Sequence, residues 1–307
     1  TNSGTILIKR YLEDVIPGFM FKGKAILIFG ARQTGKTTLV NKIVDATGKK
    51  ALFLYGDERA TRTLLTDESK ERLAGIVAGY EILVIDEAQK IDEIGNVIKI
   101  FTDRIPEVQV IATGSSSFEL MNRTSESLTG RKFEFYLYPF SFVELKANTN
   151  LLAERGELER RLVLGSYPEV VAKPEGSAKT VKDISGSYLF KDIFEIDGLR
   201  FPSLIDSLAR AVAFQVGSEV STNELAQLTG TDNKTVEKYL NILERAFIIF
   251  RLPALSRNER NEIKKGKKFF FYDNGIRNSL IGNLNDLSTR TDTGALWENY
   301  LISERRK

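Results

Sequence analysis

Short, unbroken apolar runs recur along the first part of the chain, and the stretches between them carry apolar residues at helical spacing. The runs lie within Lys24–Gly30 (KAILIFG), Ala51–Asp57 (ALFLYGD), Glu81–Ile91 (EILVIDEAQKI) and Val108–Ser117 (VQVIATGSSS). Consecutive apolar residues without polar alternation predict strands buried on both faces, as in a parallel sheet. Lys36–Gly48 (KTTLVNKIVDATG) and Asp92–Ile105 (DEIGNVIKIFTDRI) place apolar residues three or four apart and predict helices. Phe133–Leu137 reads as a further, alternating strand. Strand and helix in alternation predict an α/β fold built on a doubly wound parallel sheet.

The pattern changes after Phe142. Residues 142–216 read as mainly helical, as in NLLAERGELERRLVLG (Asn150–Gly165), with GSYPEV (Gly165–Val170) as a turn. In Ser221–Phe250 two short helices divide at Thr229-Gly230-Thr231. Ser221 and Glu224 form an expected capping box, and Leu225, Leu228, Val236, Leu240 and Leu243 supply the apolar faces of a helix-turn-helix. AFIIFRLPAL (Ala246–Leu255) and KKFFFYD (Lys267–Asp273) then read as strands joined by a hairpin with a basic tip, SRNERNEIKKGKK (Ser256–Lys268). Together these segments suggest a winged helix.

Composition narrows the chemistry. With no cysteine and no histidine, disulfides, thiol nucleophiles, Ser-His-Asp triads and Cys/His zinc sites are excluded. Carboxylates, hydroxyls, lysine and arginine remain, with or without a hard metal ion. At 307 residues the chain accommodates two or three domains. A net charge of +3 does not mark a protein that coats nucleic acid, so any basic surface is local. The apolar runs are far shorter than the ~18 residues a membrane span needs. No signal-peptide pattern precedes them, and a cytoplasmic location without membrane association is expected.

Gly30, Gly35, Lys36 and Thr37, within GARQTGKTTL, satisfy G-x-x-x-x-G-K-[ST] between a predicted strand and a predicted helix, the context of a phosphate-binding loop (Walker A). Glycines let backbone N–H groups turn inward at a helix N-terminus. Gly30, Ala31, Arg32, Gln33, Thr34, Gly35, Lys36, Thr37 and Thr38 are therefore the expected nucleotide cradle. Lys36 would reach the β- and γ-phosphates, and the Thr37 hydroxyl would ligate Mg²⁺. Asp86 and Glu87 close the next acidic strand (Walker B). Asp86 is expected to hold Mg²⁺ through its shell, and Glu87 to take the proton of an attacking water. Ser115, in the small polar group Thr113-Gly114-Ser115, is the candidate for sensing the γ-phosphate or orienting that water; a helix cap is the other reading of these hydroxyls. Arg131 stands just before Phe133–Leu137, at the expected rim of the sheet. There it is either an arginine finger for a neighbouring subunit's nucleotide or a solvated or salt-bridged arginine.

GARQTGKTTL, LVIDEAQ, ATGSSS, LTGR and YPFSFVE, with GSYPEVV, TVEKYLNILERAFIIF, FFFYDNGI and GALWENYL later on, resemble AAA-type prokaryotic ATP-binding proteins. In these a P-loop ATPase domain is followed by a helical lid, a winged helix and a restriction-nuclease-like domain. The resemblance covers nearly the whole chain and implies ATP and Mg²⁺; no Asn/Thr-Lys-x-Asp guanine-reading motif is apparent. It divides the chain into an ATPase domain at 1–145, a lid at 146–216, a winged helix at 217–275 and the start of a truncated C-terminal domain at 276–307. Nuclease activity is not carried over. The function expected is an ATP-hydrolysing molecular switch, possible as a homo-oligomer, coupled to a winged helix that contacts double-stranded DNA. Asn233, Lys234, Lys238 and Asn241 would face a major groove, with Glu237 opposing, while Lys264, Lys265, Lys267 and Lys268 with Arg257 and Arg260 would meet phosphates. The alternatives are a nucleotide-gated protein-interaction module with negligible hydrolysis and a phosphotransferase that shares the cradle.

Overall fold

The computed structural model, which describes residues 7–66, 69–115, 128–188, 193, 202–253 and 267–307, places the apolar runs of the first half in strands. These are β1 (Ala25–Phe29), β2 (Ala51–Tyr55), β3 (Ile82–Asp86), β4 (Gln109–Gly114) and β5 (Lys132–Tyr136). Among the described residues they form a five-stranded parallel sheet in the order β2-β3-β4-β1-β5. The inner strands β1, β3 and β4 are buried along their whole length, whereas β5, at one edge, is only half-buried. That difference accounts for the unbroken apolar runs of the first three and the alternation in the last.

The helices of this unit, Lys9–Leu137, are α1 (Leu12–Val15, continuing into a 3-10 turn), α2 (Lys36–Thr47), α3 (Arg59–Leu65), α4 (Lys70–Ile76) and α5 (Ile94–Arg104). Helix α5 buries Ile94, Val97, Ile98 and Phe101, the positions one helical stripe selects. Helix α2 buries Leu39, Val40, Ile43 and Val44 in a core with Ile26, Ile28, Val84 and Ile111. Each such side chain contributes roughly 1.5–3 kcal/mol by leaving water. Because every strand runs the same way, the residues after β1, β3 and β4 gather at one edge of the sheet.

The elements of the second unit lie within Tyr138–Lys307, and the first of them are α6 (Phe142–Asn148), α7 (Leu151–Gly156), α8 (Leu158–Leu164), α9 (Pro168–Ala172), α10 (Ser177–Asp183) and α11 (Pro202–Phe214). Next come β6 (Glu219–Val220), α12 (Thr222–Thr229), α13 (Asn233–Arg245), β7 (Ile249–Leu252), β8 (Lys267–Phe271), α14 (Asn274–Leu280) and α15 (Thr293–Arg306). Strands β6, β8 and β7 pair antiparallel in that order.

Three local expectations are corrected here. GSYPEV is not wholly a turn, because Pro168 opens α9, where its fixed φ suits the first helical turn. The capping box at Ser221 and Glu224 is not formed: Ser221 makes no side-chain cap, and Glu224 instead accepts from the Gln215 amide at 3.3 Å. The same S-x-x-E spacing does form a reciprocal box at Ser141 and Glu144, opening α6. Leu225, Val236, Leu240 and Leu243 are buried as expected, but Leu228 is 64% exposed.

A buried polar centre ties the second unit together. Asp273 Oδ2 accepts from Ser166 N at 2.7 Å, and Asn274 Nδ2 donates to Leu162 O and Leu296 O. Asn299 pairs with both backbone groups of Phe271 and with Asn274 Oδ1. The stretches GSYPEVV, FFFYDNGI and GALWENYL thus meet at hydrogen bonds that bind one element to another.

Candidate active site

The loop Gly30–Gly35 leaves the end of β1 and runs into α2. Gly35 caps the helix with φ +93°, a left-handed conformation that suits glycine. A Cβ on Gly30 would overlap the Leu137 carbonyl oxygen, so only glycine lets the chain pass β5 there. Ala31, Thr34 and Lys36 are buried, Arg32 is half-buried, and Gln33, Thr37 and Thr38 are exposed. Lys36 Nζ donates to Gly30 O at 2.9 Å and Ala31 O at 3.0 Å, and Thr34 Oγ1 donates to Ala31 O at 2.8 Å. Loop carbonyls thereby take cation and hydroxyl partners.

Asp86 ends β3 at the same edge. Its Oδ2 accepts from Thr37 Oγ1 at 2.7 Å, joining residues 49 positions apart. Its Oδ1 accepts from the Thr113 hydroxyl and from Glu87 N. Both carboxylate oxygens are therefore fixed in direction. Hard oxygen donors of this kind, few in number and open on one side, fit Mg²⁺, which keeps several waters and relies on substrate phosphates for the rest. Among the described residues there is no cluster of three or more acidic side chains that could hold a metal alone.

Glu87 follows in the left-handed region, with φ 51° and ψ 43°. A Cβ on Gly56 would overlap the Glu87 carbonyl, and Gly56 N donates to Asp86 O at 2.8 Å. Gly56 is thus the residue that gives this turn its room. Glu87 Oε2 accepts from Gln89 Nε2 at 2.6 Å and from Ser115 Oγ at 3.1 Å, while Gln89 Nε2 also donates to Ser115 Oγ at 3.0 Å. Ser115 and Gln89 are both at least 96% buried, so this three-residue contact is largely shielded from water.

The structure brings together Lys36, Thr37, Asp86, Glu87 and Ser115, but not Arg131. Arg131 O accepts from Ala25 N at the start of β1, whereas the loop follows its end, about 16 Å of strand away. Its guanidinium donates to Asp103 Oδ1 at 2.6 Å, and this bond raises its pKa. Within one chain, then, Arg131 lies at the sheet edge opposite the site. Sequence reasoning missed Gln89 and Gly56 as partners of Glu87, and it ranked Ser115 above Thr113. Arg10, whose Nη1 donates to Thr34 O at 2.8 Å, carried no sequence signal.

The residues expected to meet DNA fare unevenly. Lys234 and Lys238 are exposed on α13. Asn241 instead accepts from Arg251 Nη2 at 2.6 Å, and Asn233 donates to Asn223, so these two amides are engaged within the unit. Lys267 and Lys268 lie in β8 and pair with Glu237 at 3.7 Å and Glu298 at 3.2 Å. Burial works against an ionised Glu237, but Arg251 and Lys267 outweigh it and lower its pKa. Lys264, Lys265, Arg257 and Arg260 lie outside the described residues.

Comparison with known proteins is consistent with this geometry. Residues 22–146 match a family model described as an AAA domain, and residues 155–287 one described as a domain of unknown function. An uncharacterized protein of Haemophilus influenzae is 28% identical over 65% of this chain and 52% of its own length. One from Mycobacterium tuberculosis is 26% identical over 93% of this chain and 63% of its own. The chain thus spans between about half and two thirds of the length of these curated relatives. A Walker-type ATPase of Pyrococcus abyssi superposes with a TM-score of 0.60 at 16% identity, over 89% of this chain and 96% of that one, a likeness of fold. Among the described residues no helix is long and apolar enough to cross a membrane. Residues 22–146 are thus similar to AAA domains, with a P-loop ATPase-like fold, and a stretch similar to a domain of unknown function follows them in the chain.

Proposed function

We propose that the AAA domain binds ATP with Mg²⁺ and hydrolyses it, as a molecular switch. The observation that carries this reading is the 2.7 Å contact between the Thr37 hydroxyl and the Asp86 carboxylate at the mouth of the loop. Inward-facing loop N–H groups and Lys36 would hold the phosphates, Lys36 exchanging its two carbonyl partners for phosphate oxygens. Thr37 and Asp86 would hold Mg²⁺, which neutralises charge on the β- and γ-phosphates when bound. Glu87 would accept the proton of a water whose oxygen bonds to the γ-phosphorus as the bond to the β,γ-bridging oxygen breaks and ADP leaves.

The test is phosphate release from Mg-ATP over a range of protein concentrations, with and without duplex DNA. Glu87→Gln should abolish release while ATP still binds, and Lys36→Ala should lower turnover on the order of 10²-fold. Unchanged turnover in Lys36→Ala rejects the site. Arg131 enters the reading only in trans, in a homo-oligomer. Mixing Arg131→Ala chains with Glu87→Gln chains should then restore part of the activity that neither shows alone, and no restoration excludes that role.

A second reading, a nucleotide-gated interaction module with negligible hydrolysis, is favoured by the two donors on Glu87 Oε2. ATP binding without phosphate release under any condition would select it. The order β6, α12, α13, β7, β8 supports a winged helix in the second unit. Its contact with double-stranded DNA rests on Lys234 and Lys238, and Lys234→Ala with Lys238→Ala should weaken duplex binding and flatten its salt dependence. Residues 276–307 are read as opening a restriction-nuclease-like domain, with no nuclease activity assigned. A cytoplasmic location, where Mg-ATP is available, belongs to the same reading.

A further inference from the structure

The phosphate loop has a second cation behind it. Arg10 precedes α1, lies outside the residues matched by the AAA model, and is only 6% exposed. Its Nη1 donates to the Thr34 carbonyl at 2.8 Å. Thr34 O and Gly35 N belong to one peptide group, and the Gly35 N–H stands at the turn from loop to helix. A guanidinium on the carbonyl pulls electron density through that peptide and makes its N–H a stronger donor. The bond also occupies a carbonyl oxygen that would repel a phosphate brought near it.

The segment that carries Arg10 is anchored independently. Arg10 N donates to Glu13 Oε1 at 2.8 Å, and the same oxygen accepts from Lys42 Nζ of α2 at 3.0 Å. Arg10 is therefore held by its side chain on the loop and by its backbone on Glu13, which is in turn bonded to α2. We propose that Arg10 is a positioning residue for the phosphate cradle, which orients and polarises the Thr34–Gly35 peptide toward the β-phosphate of a bound nucleotide. The proposal rests on the nucleotide-binding reading above. It assigns the N-terminal segment a part in binding and does not place Arg10 in contact with the reacting atoms.

The test is titration of the full chain with ATP and with ADP, each carrying a fluorescent ribose label, in Mg²⁺. Arg10→Met should raise both dissociation constants about tenfold, as expected for loss of a hydrogen bond to a charged group. The two nucleotides should lose affinity by the same factor because both carry the β-phosphate, while kcat at saturating ATP stays within about twofold. Arg10→Lys should recover most of the affinity. Lys42→Met, which removes one partner of Glu13 and leaves the Arg10–Thr34 bond in place, should raise both constants less than Arg10→Met does, and so separates loss of the guanidinium from loosening of the segment that carries it. Where Arg10→Met does not fold, Arg10→Gln, which keeps an N–H donor and loses the charge, should still weaken both nucleotides about threefold. Unchanged affinity in a folded Arg10 variant, or a loss confined to ATP, overturns the proposal. Failure of the unaltered chain to bind either nucleotide overturns the underlying reading instead.

Discussion

Thr113 governs how Asp86 can be used. Its hydroxyl donates to Asp86 Oδ1 and accepts from Glu87 N at 3.3 Å, so it holds one carboxylate oxygen while Thr37 meets the other. Second-layer partners of this kind are typically worth 10- to 100-fold in metal affinity or activity. Thr113→Val, which keeps the shape and deletes the hydroxyl, should raise the Mg²⁺ concentration for half-maximal phosphate release about tenfold. An unchanged requirement would remove Thr113 from the site. The glycine loop, Lys36, Thr37, Asp86 and Glu87 were legible because their spacing is local and their chemistry demands those residue types. Thr113, Gln89 and Gly56 were not legible in those roles, since their partners come from other strands or from a left-handed turn at Glu87. Arg10 and Thr34 are 24 positions apart, and no local pattern links them.

Among the elements, β7 and α13 are joined by one cation. Arg251 is half-buried and reaches Glu237, Asn241 and Glu244, with Nε to Glu244 Oε2 at 2.7 Å and Nη2 to Asn241 Oδ1 at 2.6 Å. Burial works against its charge, but the two carboxylates outweigh this and raise its pKa. Arg251→Ala would strand both carboxylates beside an apolar sheet, at a cost of about 2–3 kcal/mol. Urea unfolding should show that loss as a lower midpoint with a similar slope. The buried strands and α5 were legible from periodicity, because a fully covered strand and a one-sided helix each leave a distinct apolar pattern. The capping box at Ser221 and the inward face of Leu228 were misread because a motif states what a side chain can do, while its neighbours decide what it does. Gln215 claims Glu224, and Leu228 stands exposed beyond the helix contact.

At the scale of the whole molecule, carboxyls held within the second unit link stability to pH. Burial would raise the pKa of Asp292, but hydrogen bonds from Arg290 and Arg277 outweigh it and hold it at about 2. A carboxyl depressed in the folded state stabilises that state above its ordinary value near ~3.9 and loses the contribution as pH falls through about 2. Wild type should exceed Asp292→Asn in stability by about 1–2 kcal/mol at pH 7, discounted for partial exposure, and the gap should close between about pH 4 and pH 2. Trp297, the sole tryptophan, lies in α15 and reports this unit by fluorescence. A gap that persists at pH 2 would show that the ion pair is not its source. Asp273 has the opposite sign: burial raises its pKa, so that group alone favours the fold below its ordinary value and opposes it as pH rises. The order of the parallel sheet has a consequence for synthesis. Of the five strands of this sheet β1 is made first, but it lies between β4 and β5, which begin only at Gln109 and Lys132. Until β4 exists AILIF has no strand neighbour, and until β5 follows one of its edges stays open; Gly30 N and Phe29 O meanwhile wait for Gly114 and Leu137. The glycine loop is therefore translated early and completed late, and a nascent chain must shelter that apolar run through most of the unit's translation.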